Sequence, residues 1–327
     1  MNKKNKIPNI PRKHHYVQQS YLSNWYNGDK FKVLYLNSNR IWDRTTNQIC
    51  FEDYFYKMSR LNRDEIDFLL NKIYASNIIL DSAPILKVKM KELITLHYND
   101  IIVESKDAEV ARNVAKILSQ NLEEIEDSVF KKSGELFIGD IEKSLSNDFW
   151  HKLYSKDKAF FEDEQLRVDF YSYICAQRWR TPKMKKNLQQ KIIEANEYFY
   201  GGRADLSTDR LFPYFVAFQS TIEATLLGNT NKYKLSYLTV SPNSKVSFVT
   251  SDNPVINLCD EFDDNNNPIK LEWFWPISPT VAILISSDDI SKELTDDEIA
   301  FYNKMVKKEA FNYVISFNND NLKALIS

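Results

Sequence analysis

A long stretch in the middle of the chain is the strongest constraint on its fold, because it contains almost no proline. Between residues 63 and 200 the only prolines are Pro84 and Pro182, and the apolar residues recur at the spacing of helices that bury one face. Pro182 disfavours helical geometry at Thr181, so one helix should end there and another begin. The pattern predicts helices over residues 63–78, 84–98, 105–127, 140–154, 162–180, 183–200 and 209–228.

The two ends of the chain have the shorter period of β-strands. Two apolar runs flank an Asn-Ser-Asn turn and predict a hairpin over residues 31–42, and an aromatic-rich extended piece follows over 51–58. Near the other end, strands are predicted over residues 234–240, 245–250, 271–275, 281–286 and 311–317, with one helix over 295–308. We therefore predict an α+β fold, with a helical middle region packed with a mixed or antiparallel β-sheet built from N-terminal and C-terminal strands.

The same pattern predicts one domain preceded by an arm. Residues 1–13 form a flexible basic arm in this prediction, with its basic residues at Lys3, Lys4, Lys6, Arg12 and Lys13. The single α+β domain covers residues 14–327. It is β-rich over 14–60, helical over 61–228 and β-rich again over 229–327.

Composition excludes several classes of protein. With only 6 glycines in 327 residues, the chain has no Walker loop and no dinucleotide-binding fingerprint. The formal net charge of −2 leaves any attraction to nucleic acid to local patches. The 3 cysteines lack metal-ligand spacing and favour reduced thiols in a cytoplasmic protein. No apolar run approaches the roughly 20 residues that span a bilayer, so no membrane partner is predicted.

The first group of candidate site residues lies in the His-His-Tyr-Val-Gln-Gln segment. The spacing predicts a helix over residues 14–25, on which His15 and Gln19 share one face and His14 and Gln18 another. An imidazole near the N-terminus of a helix is favoured in its neutral form, which suits a general base or a ligand. The alternative is a structural histidine that caps the helix or packs against an aromatic ring.

The second group surrounds a Gln-Arg-Trp-Arg-Thr-Pro segment. Phe170, Ile174 and Arg178 are spaced four residues apart, which predicts that Arg178 points inward and binds either Asp252 or a phosphate. Basic residues around Trp179 suit a nucleic-acid backbone. The alternative is a solvated positive helix end. The basic residues of this group are Arg178, Arg180, Lys183, Lys185 and Lys186.

The third group is Ser251, Asp252 and Asn253, which follow an apolar strand and precede a proline. Asp252 could ligate a magnesium ion, orient a histidine or pair with Arg178. It could equally accept backbone N–H bonds in a turn, since Asp, Asn and Pro are common turn residues.

Four motifs together resemble the bacterial domain-of-unknown-function family 4238. They are His14-His15-Tyr16-Val17-x-Gln19-x-Tyr21-Leu22, Arg178-x-Arg180-Thr181-Pro182, Thr250-Ser251-Asp252-Asn253-Pro254-Val255 and Pro276-Ile277-Ser278-Pro279. The chain departs from the family pattern at Gln18, where proline is usual. The resemblance implies no particular activity. Similar proteins occur among anti-phage defence genes, which implies an effector acting on nucleic acid or on a phage component.

These groups lead to two hypotheses of function. The first is a hydrolase, most simply a nuclease acting on RNA or DNA. Its catalytic residues would be His14, His15, Gln19, Arg178 and Asp252, and its substrate-binding residues Arg180, Lys183, Lys185, Ser251 and Asn253. A metal-free mechanism fits the two histidines, while a Mg²⁺ mechanism needs a second carboxylate, for which Glu65 is a candidate. The alternative hypothesis is a non-catalytic sensor that binds nucleic acid or a phage component.

Overall fold

A computed structural model of the chain describes residues 12–57, 61–74, 147–259, 261 and 269–326. Most of the predicted arm (residues 1–11) and the predicted helices over 84–98 and 105–127 lie outside the described residues. Residues 75–78 and 140–146, which belong to the helices predicted over 63–78 and 140–154, lie outside them as well.

The N-terminal part consists of short strands and short helical turns. The predicted hairpin is confirmed, since the strands on either side of the Asn-Ser-Asn turn pair antiparallel. Two 3₁₀ helices cover Ser23–Trp25 and Thr46–Gln48. The other elements are β1 (Lys13–His15), α1 (Gln19–Leu22), β2 (Phe31–Tyr35), β3 (Arg40–Arg44) and β4 (Phe51–Asp53).

The helix predicted over residues 14–25 is wrong at its start. Lys13–His15 forms a strand that pairs with Phe51–Asp53, and the helix begins only at Gln19. Gln18 has φ −59° and ψ 133°, an extended conformation that ends the strand and precedes the helix. The periodic apolar residues that suggested a helix belong to α1 and the following 3₁₀ turn, whereas strand pairing decides the conformation of the histidines.

The middle of the described chain is helical, as predicted. The boundary at Thr181 is confirmed: Thr181 is extended, its hydroxyl accepts the Met184 N–H at 3.4 Å, and Pro182 is the first helical residue. The helix predicted over 162–180 is confirmed as Glu164–Trp179, whose start is capped by the Asp163 carboxylate; a separate short helix over Ala159–Glu162 precedes it. No helix in the described ranges is long and apolar enough to cross a membrane. The helices are α2 (Arg63–Tyr74), α3 (Asn147–Tyr154), α4 (Ala159–Glu162), α5 (Glu164–Trp179), α6 (Pro182–Tyr200) and α7 (Thr208–Gly228).

The C-terminal part has more elements than the sequence predicted. Of the strand predicted over 245–250, only Thr250 lies in a strand. The Val249 N–H just before it donates to the Asn303 side chain at 3.0 Å rather than to a neighbouring strand. Strands β7 and β10 and helix α9 were not predicted. The elements are β5 (Lys234–Val240), β6 (Thr250–Ser251), β7 (Ile256–Asn257), β8 (Trp273–Pro276), β9 (Val281–Ser286), β10 (Lys292–Leu294), α8 (Asp296–Glu309), β11 (Tyr313–Ser316) and α9 (Asn319–Ile326).

The strands of the described residues form three sheets. A four-stranded antiparallel sheet has the order β3-β2-β11-β6 and joins the N-terminal hairpin to the C-terminal strands, as predicted. A five-stranded mixed sheet has the order β10-β5-β9-β8-β7, with the β10-β5 pair parallel. The third sheet consists of β1 and β4 alone. The fold is therefore α+β with mixed and antiparallel sheets.

Both large sheets lie between two apolar layers, because alternate residues of a strand point to opposite faces. In β11, Ile315 packs in the core shared with helices α5 and α7, and Val314 packs in a second core with α8 and α9. In β9, Ile283 likewise packs in the first core and Leu284 in the second. The start of α6 and the segment after α8 meet at the end of β6, and there the predicted site residues collect.

Candidate functional site

His14 is a buried residue of strand β1 rather than an exposed helical base. Its side chain is 0% exposed, and its Nδ1 accepts the backbone N–H of Tyr56 at 3.0 Å. The imidazole also stacks on the Tyr56 ring, with centroids 5.6 Å apart. Because Nδ1 is an acceptor, a neutral imidazole here carries its proton on Nε2. The contacts hold the turn after β4 against β1.

His15 points to the other face of β1, so the two histidines do not address one small site. The Gln19 side-chain nitrogen lies 2.7 Å from His15 Nε2 and also donates to Asn47 at 3.1 Å. The His15–Gln19 contact expected from the four-residue spacing is thus present, although a helix does not create it. The group forms a half-buried polar cluster beside the Phe51 ring.

Asp252 is fully buried at the end of β6, with 0% exposure. Its two carboxylate oxygens accept the backbone N–H groups of Phe311 at 2.8 Å and of Asn312 at 2.6 Å. Burial raises the pKa of Asp252 to about 6, against the opposing effect of these hydrogen bonds. The same carboxylate contributes, after burial itself, to raising the pKa of the Cys50 thiol. Asp252 therefore clamps the segment between α8 and β11.

Ser251 and Asn253 complete the turn and join it to two helices. The Ser251 hydroxyl donates to the Asn253 carbonyl, and the Asn253 N–H donates back to the Ser251 oxygen. The Asn253 side chain donates to the Glu309 carbonyl at 3.1 Å and accepts from the Thr181 hydroxyl at 3.4 Å. The turn thereby connects the first residue before α6 with the last turn of α8.

Arg178 does not point inward to Asp252, and this prediction is wrong. Its guanidinium lies 3.2 Å from each carboxylate oxygen of Glu223 and over the rings of two tryptophans, and 19% of its side chain is exposed. Phe170 is buried as expected. An α-helix turns by about 100° per residue, so a side chain eight residues after Phe170 points about 80° away from the direction of Phe170. A side chain seven residues after Phe170 points only about 20° away from it. Gln177 therefore occupies the buried position and donates to the Tyr16 carbonyl at 2.9 Å.

Arg180 is the arginine that enters the interior. It is 1% exposed and donates to the Gln177 side chain at 2.6 Å. Arg180, Gln177 and the buried polar residues of the Ser-Asp-Asn turn and its neighbour Thr181 form a set that we call the motif network. Its members are Gln177, Arg180, Thr181, Ser251, Asp252 and Asn253.

The basic residues after Thr181 separate into two roles. Lys183 bonds to the carbonyl and, at 2.5 Å, to the carboxylate of Glu309, so it ties α6 to the end of α8. Lys185 and Lys186 instead line an open cleft of about 580 Å³, which we call the lysine cleft. Its walls come from β4, the first turns of α6, the start of α7 and the segment before β11. The residues of these walls that bear on its chemistry are Glu52, Lys185, Lys186, Asp209 and Phe311.

Three walls of the lysine cleft are held by residues of the sequence motifs that lie behind them. Pro182 lines the cleft and follows Thr181 of the motif network. Phe311 lines it too, and its N–H is bound by Asp252. Phe55 precedes Tyr56, whose N–H is bound by His14. The sequence motifs therefore support a surface to which, of their own residues, Pro182 contributes.

The lysine cleft contains charges of both signs. Burial raises the pKa of Glu52 above its ordinary value; Asp209 reinforces the shift, and Lys185 opposes it. Lys185 lies 2.7 Å from Asp209 and 5.0 Å from the centre of the Phe55 ring. Lys186 lies 5.8 Å from the centre of the Phe311 ring. A carboxyl with a raised pKa beside two ammonium groups is a set that can move a proton and bind an anion.

Glu52 and Asp209 are the candidate residues that sequence reasoning missed. Glu52 lies directly opposite His14 in the β1–β4 pair. The sequence predicted a helix at His14 instead of a strand, so the pairing of Glu52 with His14 in a sheet was not predicted. Asp209 is an acidic residue in the first turn of α7 and resembles a routine helix-start residue.

A metal site is not evident from the side chains. Glu65, the candidate second carboxylate, is 0% exposed and bonds to Arg210 at 2.8 Å and to the backbone N–H groups of Asn62 and Ser207. It lies in a structural network that fixes α2 against the start of α7. Within the described residues there is no group of three or more His, Cys, Asp or Glu side chains that could hold a metal ion.

Comparison with known proteins gives one match. A family model described as "Protein of unknown function (DUF4238)" matches residues 13–320 of the chain. No curated protein and no solved structure matches it. The matched range includes the four sequence motifs, the motif network and the lysine cleft. The predicted membership is confirmed, and the chain belongs to the DUF4238 family.

Proposed function

We propose that this protein is a phosphodiester hydrolase, a nuclease acting on RNA or DNA, and that its reaction takes place in the lysine cleft. One observation carries the proposal. Glu52, whose pKa is raised by burial, shares an open cleft with the ammonium groups of Lys185 and Lys186. Hydrolysis of a phosphodiester needs both a base and nearby positive charge.

In the proposed reaction Glu52 is the general base. A carboxylate whose pKa is raised above its ordinary value is a stronger base than an ordinary one. It would take a proton from the water that attacks phosphorus, the P–O bond to the leaving group would break, and the leaving oxygen would receive a proton from solvent or from a lysine. Atoms and charge balance without a further reactant.

Lys185 and Lys186 would bind the phosphoryl oxygens. Their charge would stabilise the negative charge that develops on those oxygens as water attacks. Lys185 is already positioned by Asp209 and by the Phe55 and Phe212 rings, 5.0 and 5.8 Å from its ammonium. A fixed ammonium loses less freedom on binding substrate than a mobile one.

The predicted catalytic residues receive a positioning role in this proposal. His14 and Asp252 are 0% exposed and bind backbone N–H groups of the segments that carry Phe55 and Phe311. Of the predicted substrate-binding residues, Lys185 lines the cleft. Arg180, Lys183, Ser251 and Asn253 bind the surrounding segments together. A direct catalytic role for His14, His15, Gln19, Arg178 or Asp252 stays a prediction from sequence.

The proposal uses no metal step. Glu52 and Asp209 are the acidic residues of the lysine cleft. Since Lys185 lies 2.7 Å from Asp209, a Mg²⁺ ion there would have to displace an ammonium group. The cleft residues therefore fit that ion poorly.

The resemblance described above supports a bacterial cytoplasmic setting in anti-phage defence.

The test is hydrolysis of labelled single-stranded RNA, single-stranded DNA and duplex DNA, with and without EDTA and with added Mg²⁺ or Mn²⁺. We expect cleavage that survives EDTA and that falls about 100-fold or more in Glu52→Gln. Asp53→Asn is the matched control on the same strand, since Asp53 pairs with Arg12 outside the cleft. Intact substrates under every condition would contradict the proposal. Full activity of Glu52→Gln would contradict the role of Glu52.

A second candidate function is a non-catalytic sensor that binds nucleic acid or a phage component. The observation that favours it is the burial of the motif network, in which Asp252 and Asn253 bond to backbone groups of neighbouring segments, as is typical of a structural role. The same assay separates the two candidates. A sensor would retain its ligand and release no product.

A further inference from the structure

The side chain of Trp42 is the starting point, because it is 48% exposed on an edge strand. Strand β3 pairs with β2 on one side, and no other strand in the described part of the chain pairs with it. Arg40, Trp42 and Arg44 alternate with Ile41 and Asp43, so they share one face of β3. Asp43 points to the opposite face and pairs there with Lys32 at 2.6 Å.

Arg44 lies between two aromatic rings on this face. Its guanidinium carbon is 5.7 Å from the centre of the Trp42 ring and 5.4 Å from the centre of the Tyr35 ring. Its Nε also donates to the Tyr35 hydroxyl at 2.9 Å. These contacts fix the guanidinium, so the exposed tryptophan ring has a positioned cation beside it.

The row of rings and cations continues toward the lysine cleft. Tyr35 meets Tyr313 edge to face, with centroids 5.1 Å apart. Phe311, two residues before Tyr313 in the chain, lines the cleft beside Lys186. We call this row the aromatic track; its members are Arg40, Trp42, Arg44, Tyr35, Tyr313, Phe311 and Lys186.

Aromatic rings with cations beside them are suited to single-stranded nucleic acid. A base with a free face can stack on an exposed ring, while the cations bind the phosphates between bases. A duplex has no free base faces along its length, so it cannot use the rings in this way. The track also carries positive charge, from Arg40 and Arg44 at one end and Lys186 at the other.

We propose that the aromatic track binds single-stranded nucleic acid, with a base stacked on Trp42 and phosphates held by Arg40 and Arg44. The track directs the strand into the lysine cleft. This second statement rests on the proposed function, because it makes single strands the substrate class of the nuclease. Binding of the strand to the track does not depend on cleavage.

The test is a binding measurement in EDTA with fluorescein-labelled 12-nucleotide oligothymidylate and oligouridylate. We expect Trp42→Ala to weaken binding about tenfold or more, and Trp42→Phe to retain most of it because a ring remains. Arg44→Ala should weaken binding and reduce the dependence of the dissociation constant on salt by about one phosphate contact. Phe301→Ala is the matched control, since Phe301 is 56% exposed on α8.

The outcomes separate this inference from the proposed function. A Trp42→Ala effect within twofold, or a duplex that binds as tightly as the single strand, would overturn the track even if the protein cleaves nucleic acid. Binding that depends on Trp42 without cleavage of any substrate would uphold the track and overturn the nuclease. If Trp42→Ala does not fold, Arg40→Ala and Arg44→Ala give the decision, since both should weaken binding and an effect within twofold in both would overturn the track, with a thermal melt of each variant as the check.

Discussion

Asp252 and Glu52 are both carboxyl groups whose pKa is raised by removal from water, yet Asp252 is fully buried whereas Glu52 is only partly desolvated in an open cleft. Asp252 belongs to the motif network, where both of its oxygens accept backbone N–H groups. Glu52 lies in the lysine cleft, where water and ligands can reach it. A raised pKa alone thus does not identify a catalytic group. Access to the cleft distinguishes the group that can react from the group that positions it.

The sharpest test of this comparison is the same substitution in the two regions. Asp252→Ala should lower the free energy of unfolding by about 4 kcal/mol at pH 5, because two buried N–H groups lose their acceptors. Glu52→Ala should lower it by less than about 0.5 kcal/mol, as expected for an exposed position. Urea unfolding of both variants measures the two values. Equal losses would show that the two regions do not differ in this way.

The second prediction concerns pH. The pKa of Asp252 is raised from 3.8 to about 6 in the folded protein, so folding favours its protonated form. The stabilisation from this group is complete below about pH 3.8 and is lost as pH rises through about 6. Relative to Asp252→Asn, the wild-type protein should lose about 2 to 3 kcal/mol of stability between pH 4 and 7.5.

Urea unfolding of both proteins across that pH range gives the measurement, and taking the difference cancels the titration of all other groups. A constant difference would mean that Asp252 has an ordinary pKa. A difference of the opposite sign would mean that the N–H groups of the clamp outweigh the cost of burying the charge.

The smallest expected effect is at Gln18, where the chain departs from the family pattern. Its φ of −59° is close to the angle that a proline ring imposes. Gln18→Pro should therefore be tolerated, but it removes the side-chain oxygen that accepts from the Tyr173 hydroxyl at 2.6 Å. We expect a net change of less than about 1 kcal/mol, measured by thermal unfolding. A larger loss would show that the backbone at this position is not suited to proline.

The predictable parts of this structure are those set by local pattern. The hairpin of β2 and β3, the cap at Thr181 and helix α7 follow from alternation, from proline and from helical spacing. The fold class followed from the order of these segments. Each of these signals lies within about twenty residues of sequence, so no long-range contact is needed to read it.

The candidate site was predictable only in part, because its geometry depends on distant pairings. The motifs did mark residues that fold together, as the bond between Thr181 and Asn253 shows. Their burial could not be read from the sequence. His14 became a strand residue through pairing with Glu52, and Glu52 entered the cleft through the same pairing. Gln177 rather than Arg178 faces the interior, because adjacent residues of a helix point about 100° apart.

The order of strands in the four-stranded sheet has a consequence for synthesis. Strand β2 pairs with β11, which lies nearly the whole length of the described chain away. As the protein emerges from the ribosome, the hairpin must wait for most of the remaining polypeptide before this edge of β2 is covered. An exposed edge of this kind invites pairing with other chains. Nascent chains that stop before β11 should therefore aggregate, and complete chains should acquire the Asp252 clamp and the walls of the cleft among the last steps of folding.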